Sequence, residues 1–379
     1  MELGIYIHIP FCIQKCFYCD FVSFPNCFEK QSEYVEKVIE EIKQNKEKIE
    51  NNNITTIYIG GGTPSSIESK YIKKILNEIY KIAKIKNTDD IEVTIEVNPG
   101  TITEEKLLDY KDSGINRLSI GLQSTDNNML KNIGRIHSFE DFLNTYKLAR
   151  KVKFNNINVD LMIGLPGMTT TDLKNNLEAV LKLNPEHISV YSLIVEEKTK
   201  IEKLISEGKL SLPTDEEERN QYKYTKNYLE LNGYKHYEIS NFAKPVFESK
   251  HNMNCWEQKS YLGFGVAAHS YYGGKRYSNT INLNDYINKD FNDIKQIHEV
   301  QTKEDMEKEF MMLNLRKIDG VQISKFKEKF GENPLYLYKK ELDKLIHNKL
   351  LIVDLDNIKL TERGLDLANL VWEEFIWKI

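Results

Sequence analysis

Residues 4–21 read Gly-Ile-Tyr-Ile-His-Ile-Pro-Phe-Cys-Ile-Gln-Lys-Cys-Phe-Tyr-Cys-Asp-Phe. An apolar, β-branched strand pattern over 4–9 runs into a loop with Cys12, Cys16 and Cys19 at C-x3-C-x2-C spacing, and an amphipathic helical pattern follows over 33–49. The same unit recurs. Strand-like runs at 55–60, 91–97, 117–121 and 156–163 precede helical patterns at 69–83, from Thr103, at 126–133 with 139–152, and at 170–183. A sixth strand is expected over 187–193. Nearly continuous apolar strands alternating with helices predict a parallel sheet covered by helices. Six units are too few for a closed eight-stranded barrel, so an α/β partial (βα)6 barrel is expected, with a doubly wound sheet as the competing architecture.

Polar residues stand just past each strand: the cysteine loop, Gly61-Gly62-Thr63, Glu96 with Asn98, Gln123, Gly164-Leu165-Pro166, and Glu196 with Glu197. In a barrel-like sheet such loops converge on one face, where active sites lie. After about residue 210 the pattern changes to a helix over 217–231, a strand-like run at 234–243 and a stretch at 251–270 rich in glycine and aromatics. Helices over 303–315, 323–330 and 335–347, a hairpin over 350–360 and a helical stretch at 361–379 suit a small, mainly helical, winged-helix-like domain. The expected organisation is a core at 1–210, a connecting region at 211–300 and a C-terminal domain at 301–379.

The 379 residues accommodate one large domain and a smaller one. With 52 Lys and Arg against 57 Asp and Glu the net charge is −5, which argues against a dedicated nucleic-acid binder. No apolar run approaches the ~18 residues of a membrane span, and Met-Glu-Leu-Gly is no signal peptide, so a cytoplasmic protein is expected. Four of the five cysteines crowd into residues 12–27, which does not suit a disulfide framework.

Thiolates gathered on one loop point to a metal centre. Iron–sulfur clusters take a cysteine thiolate on each iron, so three thiolates on a four-iron cubane leave one iron open for chemistry. Structural zinc is the alternative, yet it pairs Cys-x2-Cys with a second Cys or His pair that is missing nearby. Cys27 either completes a four-cysteine electron-transfer cluster or is an ordinary loop thiol. The turn Gly60-Gly61-Gly62-Thr63-Pro64-Ser65 lacks P-loop and dinucleotide spacing, but its glycines let backbone groups approach a ligand closely.

The C-x3-C-x2-C loop resembles that of the radical S-adenosylmethionine (SAM) superfamily. That resemblance implies a radical-SAM-type partial barrel and a [4Fe–4S] cluster on Cys12, Cys16 and Cys19. The open iron would chelate SAM, which an injected electron cleaves to a 5′-deoxyadenosyl radical. Further matches run along the chain to a narrower family, the oxygen-independent coproporphyrinogen III oxidases and their relatives, the HemW-type haem chaperones. They include Ile95-Glu96-Val97-Asn98-Pro99, Ser119 to Ser124, Gly134-Arg135-Ile136-His137 and Asn158 to Gly167. By this resemblance Tyr6, Tyr18, Gly61, Gly62, Thr63, Glu96, Gln123, Arg135 and Asp160 line the SAM site. Glu96 and Asp160 suit ribose hydroxyls or an ammonium, and Arg135 suits a carboxylate.

Two features separate the branches. The oxidases carry another cysteine two residues after the third ligand, where this chain has Phe21. Residues 251–256, His-Asn-Met-Asn-Cys-Trp, are similar to the H-N-x-x-[aromatic]-W signature of haem-binding members, with Cys255 in place of the usual Tyr. His251 and Trp256 are therefore the haem candidates. The resemblance implies a haem chaperone that passes haem to acceptor haemoproteins, membrane-associated respiratory enzymes among them. A propionate-decarboxylating coproporphyrinogen oxidase and a zinc-stabilised nucleic-acid-binding regulator are the rival readings. Lys325, Glu328, Lys329 and Glu332 alternate in sign, which marks a solvated face rather than a nucleic-acid surface.

Overall fold

The computed structural model describes residues 1–376. Six strands pair parallel in chain order: β1 (Glu2–Ile9), β2 (Asn53–Gly61), β3 (Glu92–Val97), β4 (Arg117–Gln123), β5 (Ile157–Ile163) and β6 (His187–Ser192). Helices pack against their apolar face. In Ser69–Ala83 the buried residues Ile72, Ile75, Leu76, Ile79 and Ile82 recur every three or four positions, so one stripe meets the sheet. Capping boxes at Ser138 and Thr169 start two further helices, each serine or threonine answered by an aspartate three residues on.

The sheet then grows at both edges. The hairpin β7 (Lys235–Glu238) and β8 (Asn241–Ala243) lies antiparallel beside β6. On the other side β9 (Ser260–Phe264) pairs parallel with β1, and β10 (His269–Tyr272), β11 (Lys275–Asn279) and β12 (Lys295–Val300) continue antiparallel. The twelve-stranded order is β12-β11-β10-β9-β1-β2-β3-β4-β5-β6-β8-β7. Residues 211–300, expected as a connecting region, thus supply half the strands of the sheet. The open order fits the partial barrel and not a doubly wound sheet.

The concave face is polar. His187 bonds Asn158 through Nδ1 at 2.6 Å and the Tyr237 hydroxyl through Nε2 at 2.7 Å. The helix Lys250–Trp256 enters beneath this network, its first backbone N–H groups donating to the buried Glu92 carboxylate at 3.0 and 3.1 Å. A carboxylate at a helix N-terminus is favoured by both the orphan donors and the helix dipole.

A second core forms around Phe310, Met311, Phe326, Leu342, Val371 and Phe375. It is built from helices Lys303–Asn314, Ile323–Phe330, Lys339–His347 and Ala368–Ile376 over a small antiparallel sheet. That sheet has the order β13 (Val321–Gln322), β15 (Asn357–Leu360), β14 (Leu351–Asp354). The last three positions of the helical stretch expected at 361–379 lie outside the described residues. This unit locks onto the barrel through Arg316, whose guanidinium stacks 4.4 Å from the Trp256 ring and 4.9 Å from the Trp372 ring. Arg276 and Glu309 add an ion pair at 2.6 Å across the same junction.

Arg316→Ala is expected to lower the free energy of unfolding by about 2–3 kcal/mol, because it removes two cation–π contacts and the positive charge nearest the buried Glu238 carboxylate. Urea titration followed by tryptophan fluorescence measures this; an unchanged midpoint would refute the clamp.

Candidate functional site

The site begins where two loops meet. β1 and β2 are in parallel register to Ile9 opposite Gly61, and the pairing continues past both strands. Gly62 N–H donates to Ile9 O and Thr63 N–H to Phe11 O, each at 2.9 Å. The approach leaves no room for side chains. A Cβ on Gly62 would stand 2.9 Å from the Pro10 carbonyl carbon and 3.0 Å from Cys12 Sγ. Gly61 has φ +115°, and a Cβ there would lie 2.6 Å from the His8 ring. The cysteine loop closes on itself where Phe11 and Cys12 pair with Phe24 and Pro25. It is tied across to the fourth strand–helix unit by Phe17 N–H to Ile133 O, 2.9 Å, and Gln14 Nε2 to Gly134 O, 3.1 Å.

Cys12, Cys16 and Cys19 line one pocket of about 390 Å³, the size range of small-molecule sites. Burial pushes the Cys12 thiol up and the Cys19 thiol up to about 11. Metal coordination would draw off those protons. Among the described residues no three Cys, His, Asp or Glu side chains close around a single ion. Arg135 Nη1 lies 3.6 Å from Cys16 Sγ, where a cation balances a thiolate-rich centre.

The opposite wall is acidic. Glu96 accepts the Tyr58 hydroxyl at 2.9 Å and Gly61 N–H at 3.1 Å. Burial, with the Asp160 charge nearby, raises its carboxyl to about 7 despite these hydrogen bonds. Asp160 is also raised by burial, and accepts Asn158 Nδ2 at 2.7 Å and Ser119 Oγ at 3.2 Å. Between the walls Arg135 Nη2 donates to Asn98 Oδ1 and to Gly121 O at 2.7 Å, while its buried Nε has no partner. Gln123 turns into the pocket with φ +69° at a register shift between β4 and β5. Left-handed backbone in a non-glycine residue concentrates at functional sites. Carboxylates at one end, with a guanidinium and three thiols at the other, suit a ligand that joins a ribose diol to an amino acid.

Of the residues predicted from sequence, Cys12, Cys16, Cys19, Tyr18, Gly61, Gly62, Thr63, Glu96, Gln123, Arg135 and Asp160 all line this pocket. Tyr6 does not; it lies beneath, stacked on Tyr58 at 6.3 Å with its hydroxyl on His8 Nδ1 at 3.0 Å. The two haem candidates also lie elsewhere. His251 is 7% exposed, bonds Thr56 Oγ1 at 2.8 Å and stacks on Tyr58 at 5.1 Å. Trp256 faces Arg316 in the interdomain clamp. Cys255 sits near Arg276, its thiol pushed up to about 11 by burial. Sequence reasoning missed Tyr58, Ser119, Met162 and Tyr191 in the lining. Counting back two residues from Gly60 and from Gly121 finds Tyr58 and Ser119, because alternate side chains face the concave side.

Residues 6–180 match the Radical SAM superfamily and residues 301–367 match the HemN C-terminal domain. The chain is 39% identical to the Heme chaperone HemW of Bacillus subtilis, over 99% of each chain. Its identity with the Heme chaperone HemW of Lactococcus lactis is 37%, over 98% of this chain and 96% of that one. Among solved structures, the coproporphyrinogen III oxidase HemN from Escherichia coli superposes with a TM-score of 0.85 at 23% identity, covering 99% of this chain and 90% of that one. At that identity the likeness concerns the fold.

A carboxyl whose folded-state value is raised binds its proton more tightly in the folded than in the unfolded chain. Stability then falls as pH rises from the ordinary carboxylate range to about 7. Glu96→Gln should remove this component and leave the ligand-free protein about 1–2 kcal/mol more stable at pH 8 than the parent. Urea midpoints at pH 5 and pH 8 decide it; a parallel loss of stability in both proteins would show that Glu96 does not titrate in this window.

Proposed function

From the premise that the chain belongs to the Heme chaperone HemW family within the radical SAM superfamily, we propose that it binds a [4Fe–4S] cluster, SAM and haem, and hands haem to acceptor haemoproteins. The observation that carries the reading is the set of three thiols on one loop facing a pocket lined by Arg135, Glu96 and Asp160, while the Cys27 thiol bonds Pro25 O at 3.5 Å and does not line it. Cys12, Cys16 and Cys19 hold the cluster. When bound, such a cluster supplies an open iron site for the amino-acid end of SAM and a source of single electrons.

The chain's own residues do the rest. The Gly61–Thr63 turn presents backbone groups to the ligand's amino-acid portion, and Arg135 pairs with its carboxylate while screening the cluster's charge. Glu96 and Asp160 receive the ribose hydroxyls. Gln123 and Tyr18 close the sides of the pocket, and Tyr6 supports Tyr58 from below. Phe21, 62% exposed at the mouth, stands where the oxidases carry a further cysteine, which favours the chaperone over propionate decarboxylation. The net charge of −5 argues against a dedicated nucleic-acid binder. Cluster thiols require reducing conditions, so the cytoplasm is the proposed compartment. Among the described residues no helix is long and apolar enough to cross a membrane, so an acceptor in a membrane would be reached from its surface.

Anaerobic reconstitution should give a broad brown absorption and a cubane spectrum on reduction, and Cys12→Ala should lose most of the iron. Stoichiometric zinc without iron would overturn the cluster. Haemin titration should yield a stable complex, and incubation with coproporphyrinogen, SAM and reductant should yield no protoporphyrinogen. Its accumulation would make the chain an oxidase. SAM affinity should rise from pH 6 to pH 8 as Glu96, held near 7, ionises. Equilibrium dialysis at the two pH values measures this; a flat or falling profile would remove the ionised Glu96 from the ribose site.

A further inference from the structure

Haem iron bound through histidine needs an imidazole that the macrocycle can reach. All eight histidines of the chain fall among the described residues, and five are buried: His8, His137, His187, His236 and His251. Their rings are held inside the fold, although His137 and His236 each keep a buried Nδ1 without a partner. His8 bonds the Tyr6 hydroxyl and Val22 O, His187 bonds Asn158 and Tyr237, His137 bonds Leu122 O, and His236 bonds Ile239 O. His251 lies under Tyr58 with Nδ1 on Thr56, so a haem plane would have to dismantle the floor of the barrel to reach it. The exposed histidines are His269, His298 and His347. His347 ends its helix in the C-terminal domain.

The other two stand together. His269 opens β10 and His298 lies on β12; their rings are 5.5 Å apart and 19° from parallel, bridging over the intervening β11. A bulge creates the pairing. Arg276 is opposite Glu299 and Tyr277 opposite Ile297, which leaves His298 as the extra, unpaired residue of β12. Bulges re-aim a side chain, and they cluster near functional sites. The buried Ser278 on β11 meets His298 Nε2 at 2.7 Å, and among the described residues no hydrogen bond holds Nδ1 of His298 or either nitrogen of His269. An oriented imidazole with one free nitrogen is how proteins prepare a metal ligand.

The pair also stands at the right end of the sheet. β9 runs parallel to β1, so the turn from β9 into His269 lies at the same strand ends as the cysteine loop. There a Cβ on Gly265 would lie 2.7 Å from His8 O, and the His8 ring itself borders Gly61 of the candidate SAM site. We propose that His269 and His298 form the site at which the chain takes haem iron, on the open concave face beside the barrel mouth. This rests on the haem-carrying reading above and relocates the ligand from the His251 motif to an exposed edge. Delivery is then a ligand exchange: the iron–imidazole bond to this chain breaks as a bond to the acceptor's ligand forms, with no change in oxidation state. An edge site leaves the outer face of the macrocycle open to the acceptor.

The test is haemin titration of the cluster-loaded full-length chain, read as difference spectra, for the parent, a His269→Ala/His298→Ala double variant, His347→Ala and His251→Gln. Circular dichroism and iron content check folding. The expected result is at least ~10-fold weaker haem binding and loss of the imidazole-ligated ferric signal in the double variant alone. A double variant that binds haem within about twofold of the parent would overturn the site while leaving the haem chaperone reading intact. So would a folded His251→Gln protein that no longer binds haem. If the parent itself takes no haem, the chaperone reading fails and this site fails with it.

Discussion

The glycine turn lies against the cysteine loop so closely that no side chain fits between them, and this contact organises the molecule's chemistry. Gly62 and Thr63 extend the β1–β2 pairing onto the cysteine loop through bonds to Ile9 O and Phe11 O. A Cβ on Gly62 would press into Pro10 and Cys12. The same approach sets Cys12 against Thr63 and Cys16 against Arg135. Parallel pairing of the following strands carries Glu96, Gly121 and Asp160 to the same rim. One backbone register thereby positions both walls of the pocket.

A polar interior has to be satisfied before it stabilises anything, since each buried unpaired group costs about 1–3 kcal/mol. Here the satisfaction comes from outside the six strand–helix units. Tyr237 completes His187, Glu92 receives the N-terminus of Lys250–Trp256, and His251 fills the space below Tyr58. The His-Asn-Met-Asn-Cys-Trp segment is thus the floor of the barrel and, through Trp256 and Arg316, the joint to the C-terminal unit. A motif resembling a haem signature is occupied by structural duties at both of its most informative residues.

Much of the site was legible because local rules apply to it. Strand ends announce themselves by a switch from apolar runs to glycine and polar residues, so Gly61, Glu96 and Gln123 could be placed on one rim without knowing the sheet order. The C-x3-C-x2-C spacing placed Cys12, Cys16 and Cys19 together on one loop, and the structure sets all three in one pocket. Tyr58 was harder to see, since its function depends on which face of β2 turns inward. Tyr6 was drawn into the site by resemblance, yet the structure sets it one layer below, where it supports Tyr58 without lining the pocket.

By itself the sequence determined the repeated strand–helix units, the three-thiol loop, and the acidic and basic residues at the strand ends. These follow from patterns within ten or twenty residues, the range over which side-chain periodicity and ligand spacing operate. Only the tertiary structure decided that β9 joins the free edge of β1 and brings β10 to β12 with it. It alone decided that His251 is buried, and that His269 and His298 meet across a bulge. Pairing between segments more than two hundred residues apart is set by which edges and faces remain to be covered once the local units have formed. A histidine's exposure, and hence its chemistry, is fixed by that covering and leaves no mark on its immediate neighbours in the chain.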